Sequence, residues 1–305
     1  MKHTCLLLAL ALTGCSTTDT IVDPLPPAAG YDLLFEGTLV TIPELWLRDT
    51  GTGMIRRVLP EGTVAKDPAP SPDGTRIAFV VSDEDAWTGD IFVVNRDGTG
   101  LTQITHDPNL DDQPDWSPDG TRIAFRSYRT GRDGDIWVMD VDGGNPVNLT
   151  PDPLPGVWDE RRPAWSPDGS RIVFASNAAG NVDLWTMGPD GSNPLRLTST
   201  MDLDTEPVWS PDGTTIAFRR SSTGSGSDLC LVPATGGETT LLPLPGIQRL
   251  PAWSADGTTL VCVHHAETPD RPDLYRVDLD GTDLSPLVTD ELPGGSLHSV
   301  RLKRP

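Results

Sequence analysis

The stretch Pro114-Asp115-Trp116-Ser117-Pro118-Asp119-Gly120-Thr121-Arg122-Ile123-Ala124-Phe125, followed by Asp135-Ile136-Trp137-Val138-Met139, holds one structural unit. Pro118 and Gly120 suit a tight turn, with Ser117 and Asp119 placed to bond the local backbone. The short apolar runs on either side are rich in β-branched and aromatic residues, as strands require. Pro114 stands at a strand start, where a missing N–H is tolerated.

Working outward, the unit recurs. Ser-Pro-Asp-Gly stands at 71–74, 117–120, 166–169 and 210–213, and Ser254-Ala255-Asp256-Gly257 is a fifth copy. Before the turn comes a strand ending at Trp116, Trp165, Trp209 or Trp253. After it come Ile77-Ala78-Phe79 and the equivalents ending at Phe125, Phe174, Phe218 and Cys262. A third strand starts at Asp90, Asp135, Asp183, Asp228 and Asp273. A second tight turn follows at Asp97-Gly98, Asp142-Gly143, Asp190-Gly191, Gly236-Gly237 and Asp280-Gly281, residues that hairpins favour. A period of about 40–50 residues with several strands per unit is the mark of propeller blades. Leu33-Leu34-Phe35 and Glu44-Leu45-Trp46-Leu47 match the second and third strands of a sixth unit whose first strand is missing, while Ser296 to Leu302 is strand-like and left over. The expectation is an all-β, six-bladed β-propeller of four-stranded blades, closed by the C-terminal strand pairing into the first blade, which hides the edges an open array would expose.

Composition agrees. Gly and Pro each occur 30 times among 305 residues, which argues against long helices. The formal net charge of −21 repels a phosphate backbone, so nucleic acid is excluded as an expected partner.

The N-terminus reads as a targeting segment. Lys2 and His3 precede an apolar run from Cys5 to Leu12 that is too short to span a bilayer permanently. Leu12-Thr13-Gly14-Cys15 resembles the lipobox of bacterial lipoproteins. That resemblance implies a signal peptide over 1–14, cleavage before Cys15 and lipidation of its sulfur; the alternative is an ordinary cleaved signal with an incidental Cys. Ser16 then implies the periplasmic side of the outer membrane, with the lipid as the only membrane contact. Residues 15–30, rich in Thr, Pro and Ala, are expected to form a flexible tether, with the propeller over 31–305.

The repeated Pro-x-Trp-Ser-Pro-Asp-Gly, Ile-Ala-Phe and Asp-Ile-Trp-Val motifs resemble the propeller repeat of the TolB-like (WD40-like Pro-Asp repeat) family over residues 31–302. Related repeats occur in prolyl oligopeptidase-type propellers and oligogalacturonate lyases. No separate N-terminal α/β domain is expected here and a lipid anchor is, so the resemblance implies a TolB-like lipoprotein rather than TolB itself.

A residue present in every blade points around the whole ring and is expected to be structural, so departures from the repeat are the functional candidates. Loops between second and third strands and links between blades share one face, the top. There Trp87 and Trp158 lie outside the repeat pattern and could anchor a partner; alternatively each folds over its own blade. Asp111, Asp112, Asp159, Glu160, Arg161, Arg162, Asp204, Glu206 and Arg249 are expected to ring the mouth of the central channel, where they would meet an envelope protein or a cell-wall component. A solvated rim is the alternative.

Enzyme signatures are weak. There is no G-x-S-x-G elbow and no H-E-x-x-H. The expectation is a monomeric, non-enzymatic binding scaffold with no cofactor and no metal. The alternative is a metal-dependent carbohydrate-active enzyme, oligogalacturonate lyase-like, using His264 or His265, His298 and top-face carboxylates. His106 lies in a blade link. Finally, Cys230 and Cys262 replace core aromatics in adjacent blades, which makes them disulfide candidates across the blade interface, provided that strand parity turns them to the same side. Otherwise they are two buried, inert thiols.

Overall fold

Each Ser-Pro-Asp-Gly segment closes on itself before it joins anything else. Ser71 Oγ donates to Asp73 Oδ1 at 2.6 Å, the Thr75 N–H donates to the same oxygen at 3.0 Å, and Ser71 Oγ accepts the Arg76 N–H at 2.9 Å. The Gly74 N–H reaches the Ser71 carbonyl at 2.8 Å with φ at +69°, a backbone region that glycine enters without a Cβ penalty. The same four bonds recur at Ser117, Ser166, Ser210 and Ser254. Each turn thus delivers two antiparallel strands in fixed register.

The computed structural model describes residues 33–38, 43–48, 55–82, 88–131, 133–151, 158–222, 226–265, 273–288 and 297–302. The described strands begin with β1 (Leu33–Thr38), β2 (Pro43–Arg48) and β3 (Ile55–Arg57). The first repeat blade is β4 (Lys66–Pro70), β5 (Arg76–Ser82), β6 (Gly89–Asn95) and β7 (Thr102–Gln103). The second is β8 (Asp111–Trp116), β9 (Arg122–Ser127), β10 (Asp135–Asp140) and β11 (Val147–Asn148). The third is β12 (Glu160–Trp165), β13 (Ile172–Ser176), β14 (Asp183–Met187) and β15 (Leu195–Arg196). The fourth is β16 (Leu203–Trp209), β17 (Thr215–Ser222), β18 (Gly226–Pro233) and β19 (Thr240–Leu241). The fifth is β20 (Ile247–Trp253), β21 (Thr259–His265), β22 (Asp273–Asp278) and β23 (Leu284–Val288). β24 (Leu297–Leu302) ends the described chain.

The expected count of six blades is corrected to five. Five blades are single continuous segments, each folded in the order of its own four strands. The remaining four-stranded sheet, β24-β1-β2-β3, is a composite of both chain ends and carries none of the Ser-Pro-Asp-Gly turns that set register elsewhere. In it β24 runs antiparallel to β1, with Leu33 opposite Leu302 and a bulge after Glu36. β24 lies between the inner strands β20 and β4.

The core sits between blades rather than inside one. Ala78, Val80 and Ile91 of the first repeat blade pack with Trp116, Ile123 and Phe125 of the second. Trp116 Nε1 donates to the Ala69 carbonyl, Trp209 Nε1 to that of Ala164 and Trp253 Nε1 to that of Val208, at 3.0–3.2 Å, so the repeated Trp latches each blade to the one before it. Trp165 departs: its indole nitrogen is buried with no partner among the described residues, and its backbone N–H donates instead to Asp115 Oδ2 at 2.7 Å. The guanidiniums of Arg76 and Arg122 stack over Trp116 and Trp165, 4.8 Å from the ring centres.

The disulfide expectation is corrected here as well. Cys230 and Cys262 are free, buried thiols. Cys230 packs with Ala175 and Leu184 of the third repeat blade, whereas Cys262 packs with Ala217 and Leu229 of the fourth. Equivalent positions face the same way in every blade, so the whole fourth sheet stands between the two sulfurs. Burial pushes both thiols up to about 12, which keeps them protonated and unreactive.

Candidate functional site

Each inner strand of the repeat blades starts at the top face and carries a β-bulge at the residue just before its Pro. The residue before the strand's Pro takes a positive φ in all five: Asp67 (+47°), Gln113 (+54°), Arg162 (+56°), Glu206 (+57°) and Leu250 (+53°). Non-glycine residues rarely adopt this conformation, and here a bulge imposes it.

These bulge residues connect one blade to another. The Arg162 N–H donates to Gln113 Oε1 and the Leu250 N–H to Glu206 Oε2, both at 2.7 Å. Arg162 Nη1 donates to Asp67 Oδ1 at 3.0 Å, two blades away. That reach is possible only across the central channel. Burial works against the charge on Arg162, but the carboxylates of Asp67, Glu206 and Asp112 outweigh it and hold the guanidinium above its ordinary range.

The expected ring of top-face charges divides into three groups. Counting three successive positions up to the bulge residue, Asp111, Glu160 and Asp204 occupy the first and are buried, not displayed at the channel mouth. Arg129 Nη2 donates to Asp111 Oδ2 at 2.6 Å, Ser176 Oγ donates to Glu160 Oε1 at 2.6 Å, and Arg220 grips both oxygens of Asp204 at 2.8 and 2.9 Å. Burial pushes the Asp111 carboxyl up, against the opposing pull of Ser127 and Arg129. Strand alternation explains the correction: the first and second positions point to opposite faces of a blade, and the first points into the packing between blades.

The second position holds Lys66, Asp112, Arg161, Thr205 and Arg249. Asp112 is taken by Arg126, which donates Nε to Oδ1 at 2.8 Å and Nη2 to Oδ2 at 2.5 Å, a bidentate fork. Lys66 Nζ donates to Ser82 Oγ at 2.9 Å. Arg161 pairs with Asp159 at 2.8 Å, and Arg249 is exposed. The third position is the bulge, where Arg162 and Glu206 do line the channel. Trp158 is half-buried in its blade link. Trp87 and Cys15 lie outside the described residues.

Asp67, Gln113, Arg126 and Arg219 also belong to the site, and the sequence reading did not single them out. The available signals were the residue before each inner-strand Pro for Asp67 and Gln113, and the residue after Ile-Ala-Phe for Arg126 and Arg219, read as columns across the repeats.

His264 is buried, its ring edge-on to Tyr275 at 4.7 Å between centres, with Gln248 Nε2 3.4 Å from its Nδ1. His106 is exposed, and the side chains of His265 and His298 lie outside the described residues. Among the described residues no group of three His, Cys, Asp or Glu side chains is placed to hold a metal ion.

The relatives fit this architecture. "Uncharacterized peptidase YuxL" of Bacillus subtilis (strain 168) is 33% identical over 88 residues, 28% of this chain and 13% of its own length. "Tol-Pal system protein TolB" of Anaeromyxobacter dehalogenans (strain 2CP-C) is 46% identical over 46 residues, 15% of this chain and 10% of its own length. The chain thus matches only a small part of each curated relative. The solved structure of TolB from Acinetobacter baumannii superposes with a TM-score of 0.77 at 22% identity, over 90% of this chain and 67% of that one, a likeness of fold. The TolB beta propeller domain family matches residues 33–152 and 158–295. With that match running through all five repeat blades and into the composite sheet, the chain belongs to the TolB beta propeller domain family.

Proposed function

We propose that this protein is a lipid-anchored propeller of the bacterial envelope that binds another envelope protein or a cell-wall component through its top face, as a monomer and without catalysis. The observation that supports the reading is how the inner strands dispose of their charges. Carboxylates at the first position are buried in internal pairs, while Arg249, the Asp159–Arg161 pair and half-buried Trp158 remain on the side of the blade links. Aromatic and Arg side chains at a rim are the residues that anchor partners. The buried, bonded position of His264 disfavours the lyase-like alternative.

Two measurements test the reading. Replacing Cys15 with Ala should move the protein from the membrane fraction to soluble material or leave its precursor unprocessed. Persistent flotation with membranes and palmitate labelling of that variant would overturn the anchor. A photo-crosslinker at position 158, used in intact cells, should capture one dominant envelope component, whereas the same group on the opposite face, at position 97, should not. Equal capture from both faces would overturn the top-face assignment.

A further inference from the structure

Arg126 and Arg219 occupy the same place in the second and fourth repeat blades, each following Ile-Ala-Phe. In the second blade the residue directly across the strand pair is Asp112, and its carboxylate fills the Arg126 fork. In the fourth blade the residue across from Arg219 is Thr205. The arginine is retained there, but the carboxylate across the strand pair is gone, and its remaining counterion is Glu206, one residue along, at 3.4 Å.

The consequences are visible in the contacts of Arg219. Its Nη1 lies 3.4 Å from Glu206 Oε1 and its Nη2 3.4 Å from Ser221 Oγ, both beyond the usual 2.7–3.2 Å range. Its Nε has no hydrogen-bond partner among the described residues, and neither does Thr205 Oγ beside it. Glu206 cannot swing in to close the gap, because its other oxygen holds the Leu250 N–H at 2.7 Å. The same second position in the flanking inner strands carries Arg161, paired with Asp159, and exposed Arg249.

We infer that Arg219 and Thr205 form a carboxylate-binding site at the top of the channel, in which a partner's carboxylate takes the place that Asp112 fills in the second blade. The fork at Arg126 shows the bonding: two parallel N–H···O bonds from one guanidinium to one carboxylate. At Arg219 the Thr205 hydroxyl supplies a third donor. Turning the guanidinium towards the ligand exchanges the 3.4 Å ion pair with Glu206 and the 3.4 Å contact with Ser221 for a two-pronged pair. This inference rests on the top-face binding reading and names the chemistry that face recognises.

The test is binding of two short peptides to the full chain by calorimetry. One has an acidic side chain and blocked termini; the other has a free C-terminus and no acidic residue. We expect saturable binding of at least one, weakened by added salt. The stronger of the two identifies a side-chain or a terminal carboxylate as the source. Arg219→Lys, which keeps the charge but not the fork, should weaken binding at least tenfold. Thr205→Asp, which rebuilds the internal pair of the second blade, should abolish binding and raise the melting temperature, so a folding defect cannot explain the loss. Absence of saturable binding by either peptide would overturn the site, as would a Thr205→Asp variant that binds like the parent. Crosslinking from position 158 separates the two readings. Capture that persists when neither peptide binds leaves the scaffold standing without this site, whereas peptide binding without capture leaves the site without the scaffold.

Discussion

The turn aspartates show how a single residue can carry a fold-wide dependence on pH. Asp73 accepts from Ser71 Oγ, from the Thr75 N–H and from Thr75 Oγ1, and these bonds lower its carboxyl from 3.8 to about 2. Asp119, Asp168 and Asp212 are lowered for the same reason. A carboxyl lowered on folding contributes stability that is fully present above its unfolded value and is lost as the pH falls through the folded one. The Asp73 turn therefore stabilises the protein above about pH 4 and fails progressively down to about pH 2, and the other turns lose stability with the same sign. Asp90, Asp135, Asp183 and Asp228 are raised by burial and titrate with the opposite sign, gaining stability on protonation above that window. The melting temperature should hold or rise slightly from pH 6 to 4 and drop steeply below. Asp73→Asn should melt lower than the parent at pH 7, and the difference should shrink towards pH 2. A difference independent of pH would show that the charge at this turn contributes nothing.

At the scale of the element, the outer hairpin turns couple blades through bare backbone. Gly191 adopts φ +81°, and a Cβ there would lie 2.7 Å from the carbonyl oxygen of Leu149 in the preceding blade. Gly180, in the top loop of the same blade, adopts φ +91° but has open space around it. Gly180→Ala should therefore cost only the left-handed backbone term, about 1–2 kcal/mol. Gly191→Ala should cost clearly more, because the Leu149 strand must move as well. Denaturant midpoints of the two variants give the comparison directly, and equal losses would mean that the blade contact yields freely. The short outer strands, such as Val147–Asn148 and Leu195–Arg196, leave little edge for another chain to pair with.

At the scale of the whole molecule, the composite sheet is where the ends of the chain meet. β24 pairs with β1 and lies against both β20 and β4. Deleting residues 297–305 leaves the β1 edge unpaired and removes a neighbour from two inner strands. The truncated protein should lose cooperative unfolding or aggregate, seen as a lower melting temperature and a rise in light scattering. Unfolding like the full chain would show that the composite sheet is dispensable.

The repeat, its turns and the strand order were legible in the sequence, because they arise from local chemistry: Pro and Gly set the backbone, and Ser and Asp close it. Family membership was legible for the same reason, since the motif that builds a blade is also the motif of the family. Three matters depended on tertiary structure. The facing of equivalent positions placed Cys230 and Cys262 on opposite sides of one sheet, which residue spacing alone does not reveal. The bulge before each inner-strand Pro brought Asp67, Gln113, Arg162 and Glu206 to the channel and buried Asp111, Glu160 and Asp204 away from it. Pairing across strands showed that Arg126 faces a carboxylate that fills its fork, whereas Arg219 faces a threonine and meets Glu206 only at 3.4 Å. A blade is specified by neighbours in sequence, but a site at the channel is specified by neighbours in space, about 45 residues and one blade apart.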